Sequence, residues 1–177
     1  ASAAWMKRAA NAAGFLPLAL ADGTFLTAWR ASSALTAREL PTMAATDANM
    51  TASTVIGGGY EEWKAADSST SSEWLASAAP PGWLKYDFGS GKSVNLHQMV
   101  LQAGVNRKPN AWTLEGSNDN SAWTSVATGN MANNTSQQLF NVAHSAGYRY
   151  FRWTVTSLHS GATTGTADFD LKGFEVQ

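Results

Sequence analysis

The chain has 177 residues, enough for one well-buried core or for one domain with an appended arm. Its formal net charge is -1 with 14% charged residues, and no Lys/Arg stripe stands out, which argues against nucleic-acid binding. Cysteine is absent, which excludes a disulfide framework, thiolate chemistry and Cys-based zinc sites.

Eight Trp, seven Phe and four Tyr, set among much Ala, Ser, Thr, Gly and Asn, suggest an all-β domain with polar loops. Residues 1–41 are Ala-rich. Ala3 to Ala13 is helix-competent and stops at Gly14. Phe15 to Trp29 reads as a hairpin with its turn at Asp22-Gly23. The longest apolar stretch, Phe15 to Leu20, is broken by Pro17 and falls far short of the roughly 20 residues that span a bilayer. It also sits too late for a secretory leader, so a leader already removed or another route outward is expected. Residues 1–41 are either an extra strand pair or an arm that docks on a partner.

From Met43 onward, short strands alternate with turn chemistry, the rhythm of a sandwich. Trp83 to Phe88 ends at the turn Gly89-Ser90-Gly91-Lys92, and Val94 to Leu101 follows. Trp112 to Gly116 leads through a polar loop at 117–121 to Trp123 to Val126. Tyr148 to Val155 alternates cleanly, with Phe151, Trp153 and Val155 on one face and Tyr148, Tyr150, Arg152 and Thr154 on the other. Asp168 to Val176 closes the chain as another strand.

The order of these pieces resembles the discoidin, or coagulation-factor type C, domain, whose relatives include galactose-binding-like carbohydrate modules. Six pieces carry the resemblance: Met50 to Ser53; Trp63 to Asp67 with Ser72-Glu73-Trp74; Trp83 to Gly89; Trp112 to Asp119 with Trp123; Tyr148 to Arg152; and Asp168 to Gly173. It implies an antiparallel, jelly-roll-like β-sandwich over residues 42–177, with recognition loops at one end and residues 1–41 as an N-terminal arm. It also implies that Trp74, Trp83, Trp112, Trp123 and Trp153 are core.

Two sites follow from the resemblance. One is a structural calcium held by Asp67, Ser72 and Asp168, whose oxygens suit a hard cation. Here Ser68 stands where the family has Gly, and Asp168 where it has Glu. The alternative is that Asp67 caps its own loop. The other is a sugar-binding face drawn from three loops, holding Tyr60, Glu61, Glu62 and Trp63; Asn106, Arg107 and Lys108; and His159, Ser160 and Thr163. Asn106, Arg107, Tyr60, Glu61 and His159 are the ligand-binding candidates, because a planar Arg beside Asn on a Pro-stiffened loop can fork onto vicinal hydroxyls. Against this stand a salt bridge from Arg107 to Glu61 or Glu62, and a core role for Trp63.

No catalytic constellation is visible: His97, His144 and His159 are scattered, and Gly57-Gly58-Gly59 lacks the rest of a phosphate loop. The expected function is non-catalytic recognition of a cell-surface polysaccharide or glycan, at a virion or outside a cell. Residues 1–41 would anchor to other particle proteins, and a homo-oligomer would add avidity. A ligand-free decorating protein and a targeting module of a glycoside hydrolase are the alternatives. Loop tips as polar as these do not favour membrane insertion.

Overall fold

The computed structural model describes residues 18–19, 25–26, 36–39, 41–45, 47–143 and 146–175. The chain divides into two compact units, 1–35 and 36–177. In the first, β1 (Leu18–Ala19) and β2 (Phe25–Leu26) pair antiparallel, Leu18 opposite Leu26, which accords with the expected hairpin. The helix expected at 3–13 and the turn at 22–23 lie outside the described residues.

The second unit is built almost wholly of strands. They are β3 (Thr36–Glu39), β4 (Met50–Ala52), β5 (Trp74–Leu75), β6 (Gly82–Asp87), β7 (Val94–Gln102), β8 (Lys108–Pro109), β9 (Ala111–Ser117), β10 (Thr124–Asn130), β11 (Gln138–Asn141), β12 (Tyr150–Val155), β13 (Leu158–Ser160), β14 (Gly165–Thr166) and β15 (Asp168–Glu175). A 3-10 turn covers Glu62–Ala66. One sheet has the order β10-β9-β12-β6-β4 and the other β11-β7-β15-β3. The two-stranded ladders β13-β8 and β14-β5 fasten loops at one end. Every pairing is antiparallel. No helix among the described residues is long and apolar enough to cross a membrane.

Strand β3 lies within the expected arm, yet its backbone pairs with β15, Lys172 opposite Glu39. Arg38 makes this edge an ionic one by donating to Glu175, which also takes Lys92 Nζ at 3.0 Å. The sandwich thus starts at Thr36, and the Ala-rich composition hid a strand that depends on a partner near the other end of the chain.

Period-2 alternation selects the core. Leu84 and Tyr86 of β6, Trp112 and Leu114 of β9, and Phe151, Trp153 and Val155 of β12 are buried on one sheet. They face Leu96, Met99 and Leu101 of β7 and Phe169 and Leu171 of β15 on the other. Each large apolar side chain removed from water in this way contributes on the order of 1.5–3 kcal/mol.

Two of the five expected core tryptophans are not there. Trp74, Trp112 and Trp153 are buried, but Trp83 and Trp123 are only partly so. In β6 the inward phase belongs to Gly82, Leu84 and Tyr86, so Trp83 and Lys85 take the outer face. There Lys85 Nζ sits 5.7 Å from the Trp83 ring, and the Arg152 guanidinium, bonded to Glu115, lies 4.2 Å over Trp123. Trp63 packs partly buried against the core, with Lys64 Nζ 4.3 Å from its ring.

Candidate functional site

The two small ladders bring three loops together at one end of the sandwich. In β14-β5, Gly165 lies opposite Leu75 and Thr166 opposite Trp74, while the Leu75 amide donates to the Tyr60 carbonyl. In β13-β8, Ser160 lies opposite Lys108. Tyr60, Leu75, Gly165 and Arg107 therefore follow one another across the loop end.

Arg107 is seated in a socket. Its Nε donates to Thr163 Oγ1 at 3.1 Å, and its Nη1 faces Glu73 Oε1 at 3.8 Å, an ion pair rather than a hydrogen bond. The stem runs beside the 161–165 loop: a Cβ on Gly161 would fall 3.2 Å from Arg107 Cγ and 2.9 Å from the Asn106 carbonyl. Gly161 also has φ +94°, a conformation open to glycine. Arg107 and Glu73 keep 28% and 20% of their side-chain exposure, so water screens this pair less than an open surface pair. Burial pushes the Glu73 carboxyl above its ordinary range, and the Arg107 charge partly opposes that.

The expected alternative partner for Arg107 is thus replaced. Glu61 Oε1 accepts from the Gly59 amide at 3.2 Å, bracing its own loop, and the acid opposite Arg107 is Glu73. Asn106 and Tyr60 are exposed. His159 Nε2 is 2.8 Å from the Met131 carbonyl, which ties that ring to the segment after β10. Sequence reasoning passed over Glu73, taking it as part of the motif around Trp74, and placed Thr163 in a binding loop without a role.

Of the expected metal ligands, Asp67 and Ser72 stand together. Ser72 Oγ lies 2.7 and 2.9 Å from the two Asp67 carboxylate oxygens and 3.2 Å from the Ser69 carbonyl, and Asp67 also accepts the Ser69 amide at 2.9 Å. Ser68 adopts φ 62°, so it supplies the left-handed turn that a Gly would give. Burial raises the Asp168 carboxyl, with the Asp67 charge adding to the effect, while Gln137 Nε2 donates to it at 2.7 Å. A cavity of about 390 Å³ is lined by Thr42, Ser68, Thr70, Gln137 and Asp168 among others, but by neither Asp67 nor Ser72. Among the described residues no three His, Cys, Asp or Glu side chains group around one point. An ion here would therefore use hydroxyl and carbonyl oxygens beside the carboxylates. Oxygen donors of this kind suit a hard cation rather than a transition metal, and the Ser69 amide and Ser72 hydroxyl hold Asp67 as the loop-cap alternative expects.

Residues 49–168 match the F5/8 type C domain. The chain belongs to that family. No curated protein matches it. Among solved structures, this F5/8 type C domain is similar to chitosan-binding module 1 of a chitosanase/glucanase from Paenibacillus sp. IK-5, at TM-score 0.59 and 22% identity, covering 69% of this chain and 92% of that one. It is similar to the family 32 carbohydrate-binding module of Clostridium perfringens NanJ in complex with galactose, at TM-score 0.58 and 20% identity, covering 70% and 93%. It is also similar to the C-terminal domain of a Bacteroides fragilis chitobiase, at TM-score 0.61 and 17% identity, covering 79% and 100%. These likenesses give the domain the fold of a carbohydrate-binding module.

Proposed function

We propose that the chain is a non-catalytic glycan-recognition module whose contact residues are Arg107 and Asn106, with Tyr60 beside them. The observation that carries this reading is the Arg107 socket. A guanidinium has five N–H donors in a rigid plane. Here Thr163 and Glu73 fix that plane at the loop end and leave donors over for the vicinal hydroxyls of a sugar. Asn106 adds an amide able to donate and accept, and an exposed Tyr ring offers a face for the C–H side of a pyranose. Glu61 acts in this reading by holding the 57–61 loop, and His159 by joining β13 to the segment at Met131.

Calcium held by Asp67, Ser72 and Asp168 belongs to the same proposal. It would stiffen the loop that delivers Glu73 and Trp74, with no part in chemistry.

A glycan array followed by titration of the hit tests the reading. Galactose and chitotriose, the sugars seen with modules of this fold, are the first probes. Arg107→Ala and Asn106→Ala are expected to remove binding while each variant still unfolds in one cooperative thermal transition. An array without reproducible hits, or hits indifferent to both substitutions, would favour a ligand-free structural brick.

Virion attachment and service as a targeting module of a glycan-active enzyme remain as settings. The second has support in the comparisons, because the similar modules come from chitosanase/glucanase and chitobiase chains. In either setting repeated copies would raise weak single-site binding through avidity.

A further inference from the structure

We propose that Glu73 is the positioning residue of this site: lodged against Gly104, it holds the Arg107 guanidinium in the orientation that meets a sugar, without touching the sugar itself. This rests on the reading of Arg107 as the glycan contact.

Three observations carry it. First, Glu73 Oε2 is fully buried and has no hydrogen-bond partner, while Oε1 faces Arg107 Nη1 at 3.8 Å. A half-satisfied buried carboxylate is destabilising, and a neutral side chain of similar size would be tolerated better at a position serving packing alone. Second, the room for that oxygen exists because residue 104 has no side chain: a Cβ there would lie 2.0 Å from Oε2. Third, Arg107 is held from the other side by Thr163 Oγ1 at 3.1 Å. Glu73 and Thr163 thus define a plane for the guanidinium that neither could define alone.

Glu73 reaches this place through pairing far along the chain. It immediately precedes Trp74, which is buried and lies opposite Thr166 in the β14-β5 ladder, and the Trp74 indole donates to the Thr54 carbonyl at 3.1 Å. The backbone at 73 is therefore fixed next to the 104–107 loop. There its Oε1 faces Arg107 Nη1 at 3.8 Å.

The test uses the whole chain and reads Arg107 directly, by the ¹⁵N–¹H resonance and heteronuclear NOE of its Nε at one neutral pH. Glu73→Gln is expected to move that resonance and lower the NOE, as a guanidinium restrained from one side only would show, and Gly104→Ala is expected to shift both toward their Glu73→Gln values. Galactose titrated by calorimetry forms the second arm. Glu73→Gln is expected to weaken binding about fivefold near neutral pH, as loss of one partly screened ion pair implies. An Arg107 resonance and NOE unchanged by Glu73→Gln would overturn the proposal, as would equal galactose affinity in the two. Galactose binding that survives Arg107→Ala would instead remove Arg107 as the glycan contact, with the resonance arm still deciding whether Glu73 holds it.

Discussion

The Trp153 indole stacks on the Phe169 ring across the gap between the two sheets, with centroids 5.8 Å apart and planes 25° from parallel. Both residues are fully buried, one on β12 and the other on β15. This contact joins the sheets one residue from Asp168, on the two strands that flank the β13–β14 segment carrying Thr163. Packing there fixes the end of the sandwich on which the loops stand.

Phe169→Ala is therefore expected to cost about 3–5 kcal/mol, the range for a large ring deleted from a core that collapses only partly. Urea unfolding followed by Trp fluorescence measures it. The midpoint should fall with an unchanged slope, because the exposed area is nearly the same. A loss below about 1 kcal/mol would mean that the sheets are not joined at this point.

A second prediction concerns acid. Asp87 accepts Arg149 Nε at 2.7 Å and Nη2 at 2.6 Å, and also the Gly89 amide at 2.8 Å. The Arg149 hydrogen bonds hold its carboxyl below the ordinary range, against a smaller opposing effect of burial. A depressed pKa means that the unfolded chain takes up this proton first as pH falls. The stabilisation is present above the unfolded value of about 3.9 and is lost as pH drops through the lower folded value. In Asp87→Asn the thermal midpoint should accordingly fall less steeply with pH below about 4 than in the wild type. Parallel acid limbs for the two proteins would remove this pair from the explanation.

How much of this the sequence discloses depends on how far apart the interacting residues lie. The strand from Tyr150 to Val155 could be read with its faces, because alternation is a local signal, and the ordered motifs pointed to the sandwich. Tyr148, expected on the face opposite Phe151, lies before the strand and packs its ring on Phe151 at 5.9 Å. The loop carrying Asn106 and Arg107 was also legible, since Pro109 and the following strand mark its end. Trp83 misled through its bulk, although the phase of Leu84 and Tyr86 already turned it outward. Glu73 left no local trace at all. Its role depends on Gly104, Arg107 and Thr163, and no periodicity within a short window reports contacts separated by 31, 34 and 90 residues. Strand β3 was hidden for the same reason, since its partner is β15.

Calcium should raise the thermal midpoint of chelator-treated protein, if Asp67, Ser72 and Asp168 hold the ion as proposed. A ligand that binds only the folded chain stabilises it by mass action, about 2.7 kcal/mol at a hundredfold excess over the dissociation constant. Asp67→Asn should remove that response, because it takes away charge while preserving shape. Magnesium should do less, since it demands a near-ideal octahedron and dehydrates reluctantly, whereas calcium accepts irregular sets of oxygens. A midpoint indifferent to calcium would leave Asp67 as the cap of its loop, with the Ser69 amide and Ser72 hydroxyl as its partners.

Arg107→Lys separates the charge of the site from its geometry. Lysine keeps the positive charge near Glu73, but it has no Nε–H to donate to Thr163 Oγ1 and no plane to orient. If the fixed fork recognises vicinal hydroxyls, this substitution should weaken glycan binding about tenfold, as loss of roughly 1.4 kcal/mol implies. Stability should change little, because both ends of the pair keep some exposure. Thr163→Val should weaken binding in the same direction by a smaller factor, since Glu73 still restrains one side of the guanidinium. Measuring both by calorimetry, with thermal midpoints as the control, gives the discriminating pattern. Should Arg107→Lys bind as well as the wild type, the site would be reading charge alone, and the socket built by Thr163 and Glu73 would have no part in recognition.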